Sequence, residues 1–330
     1  MATRKAVASN QTRGFRQVDS RSVTQDGSQF TIDLPRGPHI EAAIIRIGGT
    51  ITNSVAWAGG ARSIAPYQFL RRADWVLNSN VTLDSVSGPM LFQLYCTRRA
   101  YPASTTPATG IGATTFEATY ILDRALMDMM RPKDSMLKTD VGVSANQLRL
   151  QLGNIADMFG SGAGASAYTA VTCTTSVIDY QEARDQAGNT PSPLYYIKRN
   201  GQRVTLAAAG TNQQVKISTG NRLRMISVRV LNATTGEPDI TLLSRVRVVR
   251  AGDTRVDMPV TDLLRVNSAA YGVALATGQV VVDFANTGQL GVRYSEFWPI
   301  PSNADTFVAF DTTAACIVEI ATIEGVDLTA

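Results

Sequence analysis

Histidine occurs once in this 330-residue chain, as His39 in the run Arg-Gly-Pro-His-Ile, and cysteine occurs three times. A site built on several histidines therefore cannot be assembled, and beside Pro38 a single imidazole reads as a buried or turn-side group. Cys96, Cys173 and Cys316 lie far apart, form no Cys-x-x-Cys pair and sit in apolar or Thr-rich runs. They read as buried thiols, not as a zinc site or a disulfide framework. Charged residues make up only 18% of the chain and aromatics 7%. No apolar run reaches the roughly 18–20 residues needed to span a bilayer. The first residues, MATRKAVASNQTRGFRQ, are basic but lack the apolar stretch of a secretory signal. No GxxxxGK[ST] is present, and Gly160-Ser-Gly162-Ala-Gly164 lacks the lysine and strand-to-helix context of a phosphate loop. Lysine is scarce too: five of the 31 basic residues are lysine and 26 are arginine. Arginine is favoured where planar, multidentate contacts are made at interfaces, and a GC-rich coding bias would give the same excess.

With 44% hydrophobic residues, the chain can bury a core in each of two domains. The net charge is +4. Residues 1–27 carry Arg4, Lys5, Arg13, Arg16 and Arg21 against Asp19 and Asp26, and lack hydrophobic periodicity. They read as an extended arm, disordered until it meets a partner. The rest of the chain is nearly neutral, which argues against a broad nucleic-acid-binding face.

From residue 28 onward strand patterns dominate: 28–34, 40–52, 69–78, 89–99, 147–154 and 167–180, punctuated by Gly, Pro, Asn and Ser turns. The spacing predicts an antiparallel sandwich or barrel. One helix is expected at 119–130 (TYILDRALMDMM), from its stripe of Ile121, Leu122, Ala125, Leu126, Met129 and Met130. Residues 183–193 form the best linker, ending Gly-Asn-Thr-Pro-Ser-Pro. Strand patterns resume at 194–206, read as a hairpin about Asn200-Gly201, and a second helix is expected at 259–270 behind Pro259. The domains are thus an arm at 1–27, a first unit at 28–182, a linker at 183–193 and a second unit at 194–330. The halves share a pattern. LRRADWVLNSNVTLD (70–84) aligns without gaps to LSRVRVVRAGDTRVD (243–257), and each is preceded by a strand containing an arginine, AIIRIGG and ISVRVLN. A period this long indicates domain duplication. Asp253, Asp257 and Asp262 are locally dense, and the first two could meet across a turn to hold a hard cation, although capping and solvation account for them more simply. No nucleophile–base set for an enzyme is visible.

The chain resembles the double jelly-roll major capsid proteins of tailless icosahedral membrane-containing phages, the corticovirus, tectivirus and finnlakevirus group. The resemblance rests on 70–88, the following apolar run and TYILDRALMDMM in the first half, and on LYYIKRNGQRVTL and 246–272, running into Tyr271-Gly272, in the second. It implies an all-β fold of two tandem eight-stranded antiparallel jelly rolls, a short helix in each and an extended N-terminal arm. It implies a homotrimeric, pseudo-hexagonal capsomer that assembles in the host cytoplasm into an icosahedral virion shell, around an internal lipid membrane. Its partners would be neighbouring trimers, penton and minor capsid proteins and the membrane, with no sequence-specific nucleic acid. Arg4, Lys5, Arg13, Arg16 and Arg21 would make the arm's contacts. No cofactor is implied beyond a divalent cation such as calcium at subunit interfaces. Two other readings compete: a coat protein with one jelly-roll shell domain, a projecting domain and an RNA-binding arm, and a β-rich carbohydrate-binding adhesin using Trp57, Trp75 or Trp298.

Overall fold

The computed structural model describes residues 12–37, 39–97, 104–124, 136–139, 142–181, 195–217, 221–271, 275–284, 298–299 and 305–327. The first half runs β1 (Thr12–Val23), β2 (Gln29–Asp33), β3 (His39–Val55), α1 (Ala65–Gln68), β4 (Leu70–Leu77), β5 (Val81–Val86), α2 (Gly88–Cys96), β6 (Ser104–Thr105), β7 (Gly112–Asp123), β8 (Leu137–Lys138), β9 (Asn146–Leu152) and β10 (Ala165–Gln181). The second half runs β11 (Tyr195–Leu206), β12 (Gly210–Lys216), β13 (Arg222–Asn232), β14 (Leu243–Arg250), β15 (Asp253–Pro259), α3 (Val260–Tyr271), β16 (Gln279–Asp283), β17 (Trp298–Pro299), β18 (Thr306–Thr312) and β19 (Cys316–Asp327).

Sheet order shows the duplication. In the first half the sheets are β1-β10-β3-β7 and β5-β4-β9-β2; in the second they are β11-β19-β13-β16 and β15-β14-β18-β12. Each half therefore has eight principal strands in the same two four-stranded orders, with a helix between the fifth and sixth. Each is a jelly roll. The second half repeats the first strand for strand, so it is not a projecting domain of another plan. The hairpins β4–β5 and β14–β15 are the segments aligned from sequence. The rolls stand side by side, and their sheets join where β11 pairs in parallel with β5, Arg199 opposite Asp84 and Asn200 opposite Ser85.

Four local expectations are corrected. First, residues 12–23 are not part of a disordered arm. They form β1, the first strand of the first roll, laddered along β10 from Thr12↔Gln181 to Val23↔Val171. An edge strand needs few apolar side chains, and here only Val23 is fully buried, so no period shows in the sequence. Second, 89–96 is helical. Ser87 caps α2 by accepting a hydrogen bond from the Met90 N–H at 3.4 Å, and Pro89 lies in the first turn. The helix is wedged between β4 and β7 of its own roll and β13 and β19 of the other. Both faces are buried, so the amphipathic period that would distinguish it from a strand is missing.

Third, Thr119–Asp123 ends β7, where Phe116, Ala118, Tyr120 and Leu122 are buried in strict alternation. The helical stripe read from residue 119 began inside that strand; residues 125–130 lie outside the described ones. Fourth, β11 passes straight through Asn200-Gly201, paired without a break to β19. Glycine is needed at 201 because a Cβ there would come within 2.2 Å of the Met90 sulfur of α2. The second helix is found as expected, and the linker at 183–193 lies outside the described residues.

Since β1 is a strand in the ladder, native protein should resist trypsin at Arg13, Arg16 and Arg21 for hours under conditions that cleave a disordered arm within minutes. Mass spectrometry of timed digests reads this, and early fragments starting after those arginines would contradict the ladder.

Candidate functional site

The two rolls meet along a seam that buries charged side chains from both. In the seam between the rolls, Asp84 on β5 is fully buried. It accepts hydrogen bonds from Arg124, just past β7 in its own roll, and at 3.3 Å from Arg199 on β11 of the other. Arg199 also donates to the carbonyl and carboxylate of Asp123. Arg124 returns the link across the seam by donating to the Ile197 carbonyl at 2.7 Å. Its guanidinium lies 4.2 Å from the ring centre of Trp75, whose indole N–H donates to Asn146 at 2.7 Å. Burial lowers the Arg124 pKa to about 10; Asp84 opposes that fall and Arg199 adds to it. Two arginines thus face two aspartates where neither sign could be buried alone.

A second network joins α2 to the second roll. Gln93 donates to Glu319 at 3.3 Å and accepts from Ser227 at 3.1 Å, while Gln279 donates to the Gln93 carbonyl at 2.9 Å. Arg229, on β13, approaches Glu319 at 3.5 Å, and its pKa is lowered by burial. Apolar packing crosses the same boundary: the core of the first roll takes in Ile197, Met225, Val281 and Ile323 from the second. A separate core fills the second roll alone, around Val246, Val308, Phe310 and Val318.

The arm arginines fall into two groups. Arg4 and Lys5 lie outside the described residues. Arg13 holds Glu41, its Nε 2.9 Å from the carboxylate, Arg16 holds Asp179 at 2.5 Å, and Arg21 pairs with Asp19 at 2.8 Å and donates to the Thr31 carbonyl at 3.1 Å. The first two tie β1 onto β3 and β10. Phe15, 67% exposed, stands beside Arg13 on the outer face. Sequence reasoning missed Asp84, Arg124 and Arg199; the one available cue was Asp84 at the end of the aligned repeat, where its counterpart Asp257 is exposed and held by Arg245 and Arg247.

The remaining candidates resolve into structure. His39 is buried at the start of β3, and the three cysteines are buried thiols. The glycines at 160–164 pack against Gly59 and Trp57; a Cβ at Gly164 would meet the indole ring at 2.2 Å. Trp57 stacks on Phe159 at 4.5 Å and Trp75 is core, so neither stands free for a sugar ring. Among the described residues no three His, Cys, Asp or Glu groups gather as a metal site.

No family model and no curated protein matches this chain. Solved structures do. The major capsid protein of STIV, Sulfolobus Turreted Icosahedral Virus, superposes with a TM-score of 0.72 at 17% identity, covering 96% of this chain and 97% of that one. The major capsid protein P2 of bacteriophage PM2 gives 0.60 at 14% identity, covering 96% and 98%. The PBCV-1 virus capsid gives 0.62 at 12%, covering 96% and 95%. The chain shares the double jelly-roll fold of these proteins over 96% of its length.

Two outcomes follow, one for the seam and one for the core of the first roll. Asp84→Ala leaves two buried guanidinium groups short of an acceptor and should cost about 3–5 kcal/mol of stability by denaturant titration. Alkali should also unfold the chain. Burial pushes the Cys173 thiol from 9 and the Tyr67 phenol from 10 up to about 12, and raises the Tyr120 phenol well above its usual value. These groups give up their protons more readily when unfolded, so their stabilisation is complete below pH 9 and is lost as pH rises to 12. Arg124, Arg224 and Arg229, lowered by burial, act in the opposite sense, and Tyr168, Tyr271 and Cys316, raised by burial, add to the loss. The urea midpoint should hold between pH 8 and 9 and fall steadily from 9 to 12.

Proposed function

We propose that this protein is the major coat subunit of a virion: a homotrimer with a pseudo-hexagonal outline that tiles an icosahedral shell. The observation that carries the reading is the strand-for-strand duplication of the jelly roll into one rigid block, a fold shared over nearly the whole chain with viral major capsid proteins. Two rolls per chain make three chains six-sided, and side-by-side rolls offer the broad flanks that lattice packing needs. Many weak contacts then add up in a closed lattice.

The reading includes neighbouring trimers, penton and minor capsid proteins as partners, assembly in the host cytoplasm, and a lipid layer beneath the shell. Arg4 and Lys5, preceding β1, are proposed to contact neighbouring subunits or anionic headgroups. Arg13, Arg16 and Arg21 are committed to carboxylates or carbonyls of their own roll, so their proposed part is to fix the edge strand from which those contacts are made. Phe15 and the outer edge of β1 suit burial under a neighbour. The role in this reading is structural, and what supports it is the fold shared with coat proteins.

The test is native mass by light scattering, with negative-stain images of the same fraction. A species of three times 35.4 kDa with a six-sided outline is expected. A monomer at micromolar concentration that assembles under no salt condition would overturn the reading.

A further inference from the structure

The first roll carries apolar side chains on the outer face of its sheet β1-β10-β3-β7. Ala43 and Ile45 on β3, Val177 on β10, and Tyr120 and Leu122 on β7 are buried in the core. The alternating Ile44, Ile178 and Ile121 therefore stand on the opposite face. Ile44 lies opposite Ile121 on one side and Ser176 on the other, and Ile178 lies opposite Phe15 of β1. The three isoleucines are partly exposed and Phe15 is 67% exposed. The ion pairs Arg13–Glu41 and Arg46–Glu117 flank them. An apolar centre with a charged rim is the anatomy of a protein–protein contact.

The duplication indicates what covers this face. The match of AIIRIGG to ISVRVLN sets Arg46 of β3 against Arg229 of β13. From there the ladders correspond row by row. Phe15–Ile178–Ala42 answers to Arg199–Ile323–Met225, and Ser176–Ile44–Ile121 to Ala321–Ser227–Val281. In the second roll these positions are enclosed. Met225, Val281, Ala321 and Ile323 join the core of the first roll, Ser227 donates to Gln93 of α2 at 3.1 Å, and Arg199 reaches Asp84 of β5. The covering elements are thus α2 and β5. Their counterparts in the second roll are α3 and β15. β15 ends its sheet, as β1 ends its own. α3 buries Val260, Leu263, Asn267 and Tyr271, while Val266 is 45% exposed.

We infer that α3 and β15 of one copy of this chain cover Phe15, Ile44, Ile121 and Ile178 of the next, repeating between chains the seam found within the chain. The occupant is a second copy because the patch and the elements that cover its counterpart each have one open duplicate in the same chain. The contact is head-to-tail, and with two rolls per copy it closes a ring of six rolls from three copies. One position differs between the two seams. Asp84 takes its counter-charge partly from Arg199 across the seam, whereas Asp257 of β15 is already held by Arg245 and Arg247 of its own roll. β1 therefore needs no cation there, and Phe15 stands in the place of Arg199. The inference rests on the coat-subunit reading and names the contact face that reading requires.

The test compares the native mass of the full chain with that of Phe15→Asp and Val266→Asp over a concentration series. Each variant should need about tenfold or more protein to form the trimer, while Val81→Asp, at an exposed valine outside the patch and outside α3, should assemble as the parent does. Matching far-ultraviolet circular dichroism would establish that all three are folded. A second readout does not depend on weakening the contact. With p-benzoyl-phenylalanine in place of Val266, irradiation should join two chains, and the attached peptide should map to β1, β10, β3 or β7 of the other chain. A monomeric parent would overturn the trimer and the inference together. A trimeric parent whose Phe15 and Val266 variants assemble equally well, or whose cross-link maps to other strands, would overturn the inference and leave the trimer standing.

Discussion

The architecture depends on a carboxylate that water never reaches. Asp84 lies where the two rolls meet, and the last strand of one sheet, β5, can lie beside the first strand of another, β11, only because Arg199 arrives opposite it with a counter-charge. A hydrophobic residue at each of these positions would pack about as well and could be more stable. It would also tolerate sliding. Charged groups with directional hydrogen bonds do not slide without leaving a charge unpaired. The reciprocal donation by Arg124 to the Ile197 carbonyl adds a second fixed point. Specifying one orientation between the rolls is the physical service this network performs.

Duplication explains the shape of that network. The two rolls have the same strand order, but only one copy of each shared position lies in the seam. Asp84 and Asp257 occupy equivalent places in the aligned hairpins. One is enclosed by two arginines of which one comes from the other roll; the other is open to solvent and held by arginines of its own hairpin. The helices diverge in the same way. α3 has one face against its roll and shows a clear apolar stripe, whereas α2 has a roll on each side and shows none. Equivalent elements acquired different surfaces because one of each pair became interior.

That asymmetry also determines what could be read from sequence. Strands with one face on a core, such as β3, β9 and β10, carry their alternation openly, and the hairpins β4–β5 and β14–β15 could be aligned across 173 residues. Elements at the two extremes of burial could not be read. α2 is buried all round and resembles a buried strand, because period is lost when every side is apolar; its Ser87-Gly-Pro89 start was the one local cue. β1 is held by its ladder and by ion pairs more than by burial, and so resembled disorder. Asn200-Gly201 resembled a turn because glycine serves two purposes, and here the close approach of Met90 is the one in use. Seam residues are harder still to read: Asp84, Arg124 and Arg199 are widely separated in the chain and become a site only once the rolls are placed.

The abundance of arginine over lysine then has a structural reading. Buried guanidinium groups at 124 and 199 each serve several acceptors at once and cross the seam, Arg229 reaches across it to Ser63 at 3.4 Å, and partly exposed ones at 13, 16, 245 and 247 tie neighbouring strands together. A lysine ammonium is a strongly hydrated point charge and could not replace the planar fork at Arg199, which reaches Asp84 through one nitrogen and both oxygen types of Asp123 through another. The preference follows from how the block is built: sheets joined edge to edge place many carbonyls and carboxylates at fixed separations, and the guanidinium is the side chain whose own geometry is fixed enough to span them.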